Sequence, residues 1–95
     1  MKNNVNNLPE RCYSLLIATN EVIVIKRNES GYYKTDLLAE DKETARALVN
    51  NLNETLGVTK AQEQAMVFGS MFGWDVPGAD PKNYDDNGEP LRKEN

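Results

Sequence analysis

The sequence of 95 residues contains no histidine and one cysteine, Cys12, and these shortages exclude several kinds of chemistry. A single cysteine cannot form an intramolecular disulfide, and without histidine the usual cysteine and histidine zinc sites cannot be built. The commonest general base of enzymes is missing as well. We therefore predict a protein without cofactor or metal that is not an enzyme, in a reducing, cytoplasmic compartment.

The sequence also lacks an excess of positive charge and long apolar runs. Lysine and arginine number 11 against 15 aspartates and glutamates, a formal net charge of −4, whereas phosphate binding usually draws on clustered cations. The longest apolar runs have four residues, far from the roughly 18 that suggest a membrane span. The asparagine-rich start does not read as a secretory signal. We expect no membrane contact, and nucleic acid becomes a minority hypothesis.

What is present indicates one small α+β domain over residues 11–74, preceded by a flexible arm at 1–10. Between 11 and 38, short β-branched and aromatic runs are separated by the turn residues "TN" and "NESG", which predicts an antiparallel three-stranded meander. The apolar period then changes to 3.6 residues, which predicts helices near 42–56 and 60–73. Asp41 and Gly57 are the expected caps of the first helix, and Thr59 with Gln62 matches the capping box of the second.

Residues 75–95 have a different composition, which predicts a largely disordered acidic tail. Pro77, Pro81 and Pro90 prevent a continuing helix, and the segment carries three of the four net negative charges. Its sequence "NYDDNGEPLRKE" approximates a calcium-binding loop, but it starts with asparagine and leaves no room for an exit helix. We interpret "DDNG" as a tight turn.

Other chemical motifs are weak. Cys12 follows Arg11, which could activate a thiol, but a cysteine that enters a strand is more often a small buried apolar residue. The sequence contains no phosphate-binding loop and no dinucleotide-binding glycine pattern. An enzyme is therefore the least supported class.

The segment "MVFGSMFGWDVP" concentrates large apolar side chains at the end of the second helix. Methionine and aromatic clusters at the edge of a small domain are typical of interfaces, and tryptophan often anchors them. The alternative is that the single tryptophan folds back to close a small core. The predicted protein-interface residues are Met71, Phe72, Trp74 and Asp75.

A second group of residues supports a nucleic-acid hypothesis. Aromatic side chains with nearby cations on a sheet can stack on the bases of a single strand. The candidates, around one hairpin turn, are Lys26, Arg27, Tyr32, Tyr33 and Lys34. The acidic tail could instead mimic nucleic acid and compete for a partner's groove.

The segment "TKAQEQAM", together with "GSMFGWDVPGADPKNYDDNG" shortly after it, resembles the end of small uncharacterised proteins encoded by phages and conjugative elements of Gram-positive gut bacteria. The resemblance covers about the last third of the chain and carries no catalytic residues. It implies an accessory protein of a mobile element. The function that we predict is a small non-catalytic protein-binding module with an unidentified protein partner, and a homodimer remains open.

Overall fold

The computed structural model describes residues 8–91 and contains three strands followed by two helices. The strands are β1 (Arg11–Leu16), β2 (Glu21–Lys26) and β3 (Tyr33–Leu38), and the helices are α1 (Lys42–Leu56) and α2 (Lys60–Phe72). The strands form one antiparallel sheet in the order β1-β2-β3. The predicted α+β fold and meander are confirmed.

Local signals set the helix boundaries. The Asp41 carboxylate accepts a hydrogen bond from the Thr44 N–H at 2.7 Å, and Gly57, with φ 75°, ends α1 in the left-handed conformation. The capping box of Thr59 and Gln62 is present at the start of α2. All three predicted caps are confirmed.

The main core lies between α2 and the sheet. On alternating positions, β1 and β2 direct Cys12, Ile23 and Ile25 toward Ala65 and Met66 of α2, and all five are buried. In contrast, α1 packs mainly along β1. Its residue Asn53 accepts a hydrogen bond from the Tyr13 N–H at 2.8 Å and donates one to the Tyr13 carbonyl at 2.9 Å. At Tyr13, the outward backbone groups of β1 are thus paired by a side chain of α1.

The structure differs from expectation just before β1. Residues 1–10 were predicted to be a flexible arm, but Leu8 is buried within the main core. Arg27 donates from its guanidinium to the Leu8 carbonyl at 2.9 Å, and its N–H donates to the Glu10 carbonyl at 2.9 Å. Leu8 is an apolar residue that joins the same buried cluster as Val58 and Met66, and the polar composition of its segment conceals this. Residues 1–7 lie outside the described part.

A second difference concerns the predicted acidic tail. From residue 75 to residue 91 the chain follows a defined path against α2, with 3₁₀ turns at Pro77–Ala79 and Pro81–Asn83. Ala79 is fully buried, Tyr84 packs against the main core, and its hydroxyl donates to the Gly78 carbonyl at 2.6 Å. The prolines exclude a continuing α-helix, but Pro77 and Pro81 each begin a 3₁₀ turn, where a backbone N–H would have no partner within the turn. The end of the predicted tail, 92–95, lies outside the described residues.

Candidate functional site

The end of α2 presents two large apolar side chains to solvent. Met71 is 66% exposed and Phe72 is 62% exposed, although both stand in the last turn of a well-formed helix. The helix stops at Gly73, whose φ of 110° favours glycine. We name Met71 and Phe72 the α2-end patch.

The α2-end patch rests on a fixed aromatic support. The rings of Phe68 and Phe72 lie 4.7 Å apart between centroids with an interplanar angle of 45°. Phe68 is in turn covered by Gly78, where any side chain would collide with its ring. The Phe72 ring is therefore held by the helix and by a packed neighbour, while its outer side stays open.

Trp74 folds back rather than standing fully outward. It is half-buried, packs against the main core, and lies so close to Gly69 that a β-carbon at that position would overlap the indole. Its Nε1–H donates to the Glu29 carbonyl at 3.2 Å. The missing side chain of Gly69 thus makes room for the indole ring on α2. Asp75, next along the chain, is exposed.

The loop between β2 and β3 adjoins the same end of α2. The Gly31 N–H donates to the Ser70 carbonyl at 3.1 Å, and Glu29 accepts the tryptophan hydrogen bond. Tyr32 follows directly and is 47% exposed. Three of the four predicted interface residues, namely Met71, Phe72 and Asp75, are thus exposed beside this loop.

The structure separates the predicted nucleic-acid residues. Lys26 lies over the Tyr33 ring, 4.9 Å from its centroid, but alternation along β3 places Lys34 on the opposite face. Lys34 approaches the Glu21 carboxylate at 3.7 Å, and the guanidinium of half-buried Arg27 binds the Leu8 carbonyl. The Tyr33 hydroxyl donates to Glu29 at 2.5 Å, and this hydrogen bond raises the pKa of the exposed Tyr33 phenol. All three predicted cations and the Tyr33 phenol thus already make contacts within the protein.

Cys12 does not have the environment of a reactive thiol. It is fully buried, and burial, followed by the nearby negative charge of Glu63, raises the pKa of Cys12 to about 12. Nucleophilic cysteines have the opposite shift, because the thiolate is the reactive form. The expected role as a small buried apolar residue agrees with this position in the main core.

A buried carboxylate, which the sequence reading missed, joins α2 to β1 and α1. Glu63 is 5% exposed, and each of its carboxylate oxygens accepts two hydrogen bonds. The donors are Ser14 at 2.8 Å, Arg46 at 3.0 and 3.2 Å, and Asn53 at 3.3 Å. The available signal was spacing, since Glu63 precedes the buried Met66 by three residues on the same helix face.

An open cleft of about 540 Å³ lies above this carboxylate, between α1 and the start of α2. Glu54 and Asp86 also line it, but the Glu63 oxygens are saturated by their donors, as in a structural ion-pair network. The role of Glu63 is therefore structural, since its hydrogen bonds link α2 to β1 and α1.

The residues that resemble a calcium loop hold their own turn. The Asp85 carboxylate accepts hydrogen bonds from the Asn87 and Glu89 N–H groups at 2.9 and 3.0 Å, and Asn83 donates to the Pro77 carbonyl at 2.6 Å. Gly88, with φ 80°, completes the turn. Glu94, the last residue of that pattern, lies outside the described residues. From residue 8 to residue 91, no group of three or more acidic, cysteine or histidine side chains could hold a metal ion.

Comparison with known proteins adds no relative: no family model, no curated protein and no solved structure matches this chain. Within the part of the chain that the structure describes, neither helix is long and apolar enough to cross a membrane.

Proposed function

We propose that the protein is a non-catalytic accessory module that binds another protein through the α2-end patch. The observation that carries this proposal is the exposure of Met71 and Phe72, consecutive residues in the last turn of α2, at 66% and 62%. Large apolar and aromatic side chains in such positions are the usual energetic centre of protein interfaces. The resemblance of the last third of the chain to proteins of mobile elements suggests a bacterial host protein as the partner.

The fixed support favours binding over incidental exposure. Phe72 packs against Phe68, and the nearby chain is tied down by the hydrogen bond from Trp74 to Glu29. A side chain that is already ordered loses little conformational entropy when a partner covers it. Trp74 therefore acts as a support, and Phe72 replaces it as the proposed anchor.

The surroundings of the patch indicate the chemistry of the partner. Glu29 and Asp75 are exposed beside it and contribute negative charge. A partner with an apolar centre and a positively charged rim would be favoured, since complementary charge raises the association rate.

The test is capture of partners from a bacterial host lysate by the wild type and by Phe72→Ala, followed by measurement of affinity for each purified partner. We expect Phe72→Ala to weaken binding by about tenfold or more, as for an interface anchor. The control is Ile17→Ala, because Ile17 is 69% exposed but lies in the β1–β2 turn at the other end of the sheet. Equal binding by the wild type and Phe72→Ala would refute this use of the patch.

One observation favours a nucleic-acid module as the second candidate. Arg11 stands directly opposite Lys26 across β1 and β2, and neither forms an ion pair within residues 8–91. Like charges in this arrangement destabilise a sheet unless an anion lies between them. Lys26 also covers the Tyr33 ring.

Titration with labelled single-stranded oligonucleotides at low salt tests the second candidate. A direct binder should lose affinity steeply as salt rises, and Arg11→Ala should reduce the slope. Absence of binding at low salt would exclude this mode, and inhibition of a partner's own nucleic-acid binding would instead favour acidic mimicry.

A further inference from the structure

The outer edge of β3 is the second notable surface, and it is independent of the α2-end patch. β3 ends the sheet, and no strand among residues 8–91 pairs with its outer side. Five of its six residues are exposed, including Tyr33 at 50%, Leu37 at 41% and Leu38 at 68%. An open strand edge with apolar side chains is a template for another strand.

The hydrogen bonds of β1 determine which groups of β3 face outward. The Tyr13 N–H and carbonyl point away from β2, because both bind Asn53. Its partner Val24 therefore directs its own groups toward β3, where it pairs with Tyr33. It follows that the backbone N–H and carbonyl of Tyr33 point toward β2. Those of Lys34 and of the even-numbered residues after it point away from the sheet.

An irregularity in β3 preserves this alternation. The register changes from Ile23 opposite Lys34 to Glu21 opposite Leu38, which adds two residues to β3. The Thr35 hydroxyl fills the gap, since it donates to the Val22 carbonyl at 2.7 Å and accepts from the Leu37 N–H at 3.0 Å. Because two residues are added rather than one, the outward positions remain the even-numbered ones.

We propose that a second copy of this chain pairs antiparallel with β3 and forms a continuous six-stranded sheet. In the register centred on Thr35, Lys34 of one protomer lies opposite Asp36 of its partner, and this pair occurs twice by symmetry. The same register places Tyr33 opposite Leu37. Opposite charges and aromatic–aliphatic pairs are both favourable across strands.

The neighbouring registers are unfavourable. Two β3 strands can hydrogen-bond only if the even-numbered residues of one, whose backbone groups point outward, lie opposite the even-numbered residues of the other. The register can therefore shift only in steps that keep even-numbered residues opposite each other. Centring the pair on Lys34 places two lysines directly opposite each other, and centring it on Asp36 does the same with two aspartates. Asp36 has no ion-pair partner within the described chain, whereas the Lys34 contact with Glu21 is an exposed one at 3.7 Å. Charge complementarity thus selects one register.

The experiment is sedimentation of the full chain over a wide concentration range, with the variants Lys34→Asp and Asp36→Lys. A single short strand pair buries little area, so we expect a weak, concentration-dependent dimer. Each variant alone places like charges opposite each other twice and should weaken the dimer about tenfold. An equimolar mixture of the two variants should restore association, because every charge pair is then complementary.

The double variant Lys34→Asp with Asp36→Lys should also dimerise like the wild type. Thermal unfolding of each variant checks that the fold is intact, which we expect because both positions are exposed. A wild type that stays monomeric at all concentrations would overturn the proposal and indicate that the irregularity protects the edge. A dimer that is indifferent to these charge changes would overturn it equally, because it would use another surface.

Discussion

The two edge strands of the sheet differ in whether another part of the described chain covers their outer side. On β1, the outward N–H and carbonyl of Tyr13 bind Asn53, which is 4% exposed, and α1 lies along the strand. On β3, no described residue pairs with the outer edge. The difference arises because the chain leaves β3, passes the β1–β2 turn and runs back along β1 as α1. One helix can cover only one edge, so the other stays available for association.

Asn53→Ala should have the largest effect, because it opens the covered edge. It removes two hydrogen bonds to Tyr13 and one to Glu63 from a buried site, and we expect a loss of about 2–3 kcal/mol in the free energy of unfolding. Urea denaturation measures it. The control is Asn51→Ala on the exposed side of the same helix, and equal losses for both would contradict this account of the edge.

Alkaline pH should weaken the covered strand through Cys12. Burial raises the pKa of Cys12 from 9.0 to about 12, so this contribution to stability is complete below pH 9 and is lost as pH rises toward 12. At about pH 10.5 the loss should be about 2 kcal/mol. Urea denaturation of wild type and Cys12→Ala from neutral pH upward should show the steeper decline in the wild type. Parallel declines would contradict the predicted role of the thiol.

Removal of residues 76–95 should leave both edges of the sheet unchanged, with β1 covered by α1 and β3 open. A chain that ends at Asp75 keeps both edges but loses the packing of Tyr84 and Ala79, which we expect to cost about 1–2 kcal/mol. The thermal transition should remain cooperative at a lower midpoint. Complete loss of folding would show that the segment is indispensable and would refute a domain that ends near residue 74.

Asp36→Ala on the open edge should have the smallest effect on the folded monomer. Asp36 is exposed and takes part in no ion pair within residues 8–91, so stability should change by less than about 0.5 kcal/mol. Thermal unfolding at low protein concentration tests this. A large loss would mean that the β3 edge is internally stabilised in a way that the contacts do not explain.

The sequence was informative wherever structure depends on near neighbours. The change of apolar period after Leu38 gave the order of strands and helices, and Asp41, Gly57 and Thr59 marked the helix boundaries. The exposure of Met71 and Phe72 agrees with the surplus of apolar residues noted in that segment. Their use as an interface remains a prediction.

The sequence was uninformative where contacts join distant residues. Glu63 reads as a surface helix residue until Ser14, 49 positions away, is seen to donate to it. Leu8 stands in a polar segment, and only the folded structure shows that it joins the buried cluster of Val58 and Met66. The prolines after residue 75 correctly exclude an α-helix, but they do not show that the segment packs against α2.

By itself, the sequence determined the elements, their order and their caps, because periodicity and capping act over a few residues. Only the tertiary structure decided which sheet edge is covered and where the single tryptophan points. Asn53 meets Tyr13 across 40 positions and Trp74 meets Glu29 across 45, and such pairings depend on the packing of whole elements. Trp74 is half-buried: its indole lies against Gly69 and donates a hydrogen bond to the β2–β3 loop, while Met71 and Phe72 face solvent.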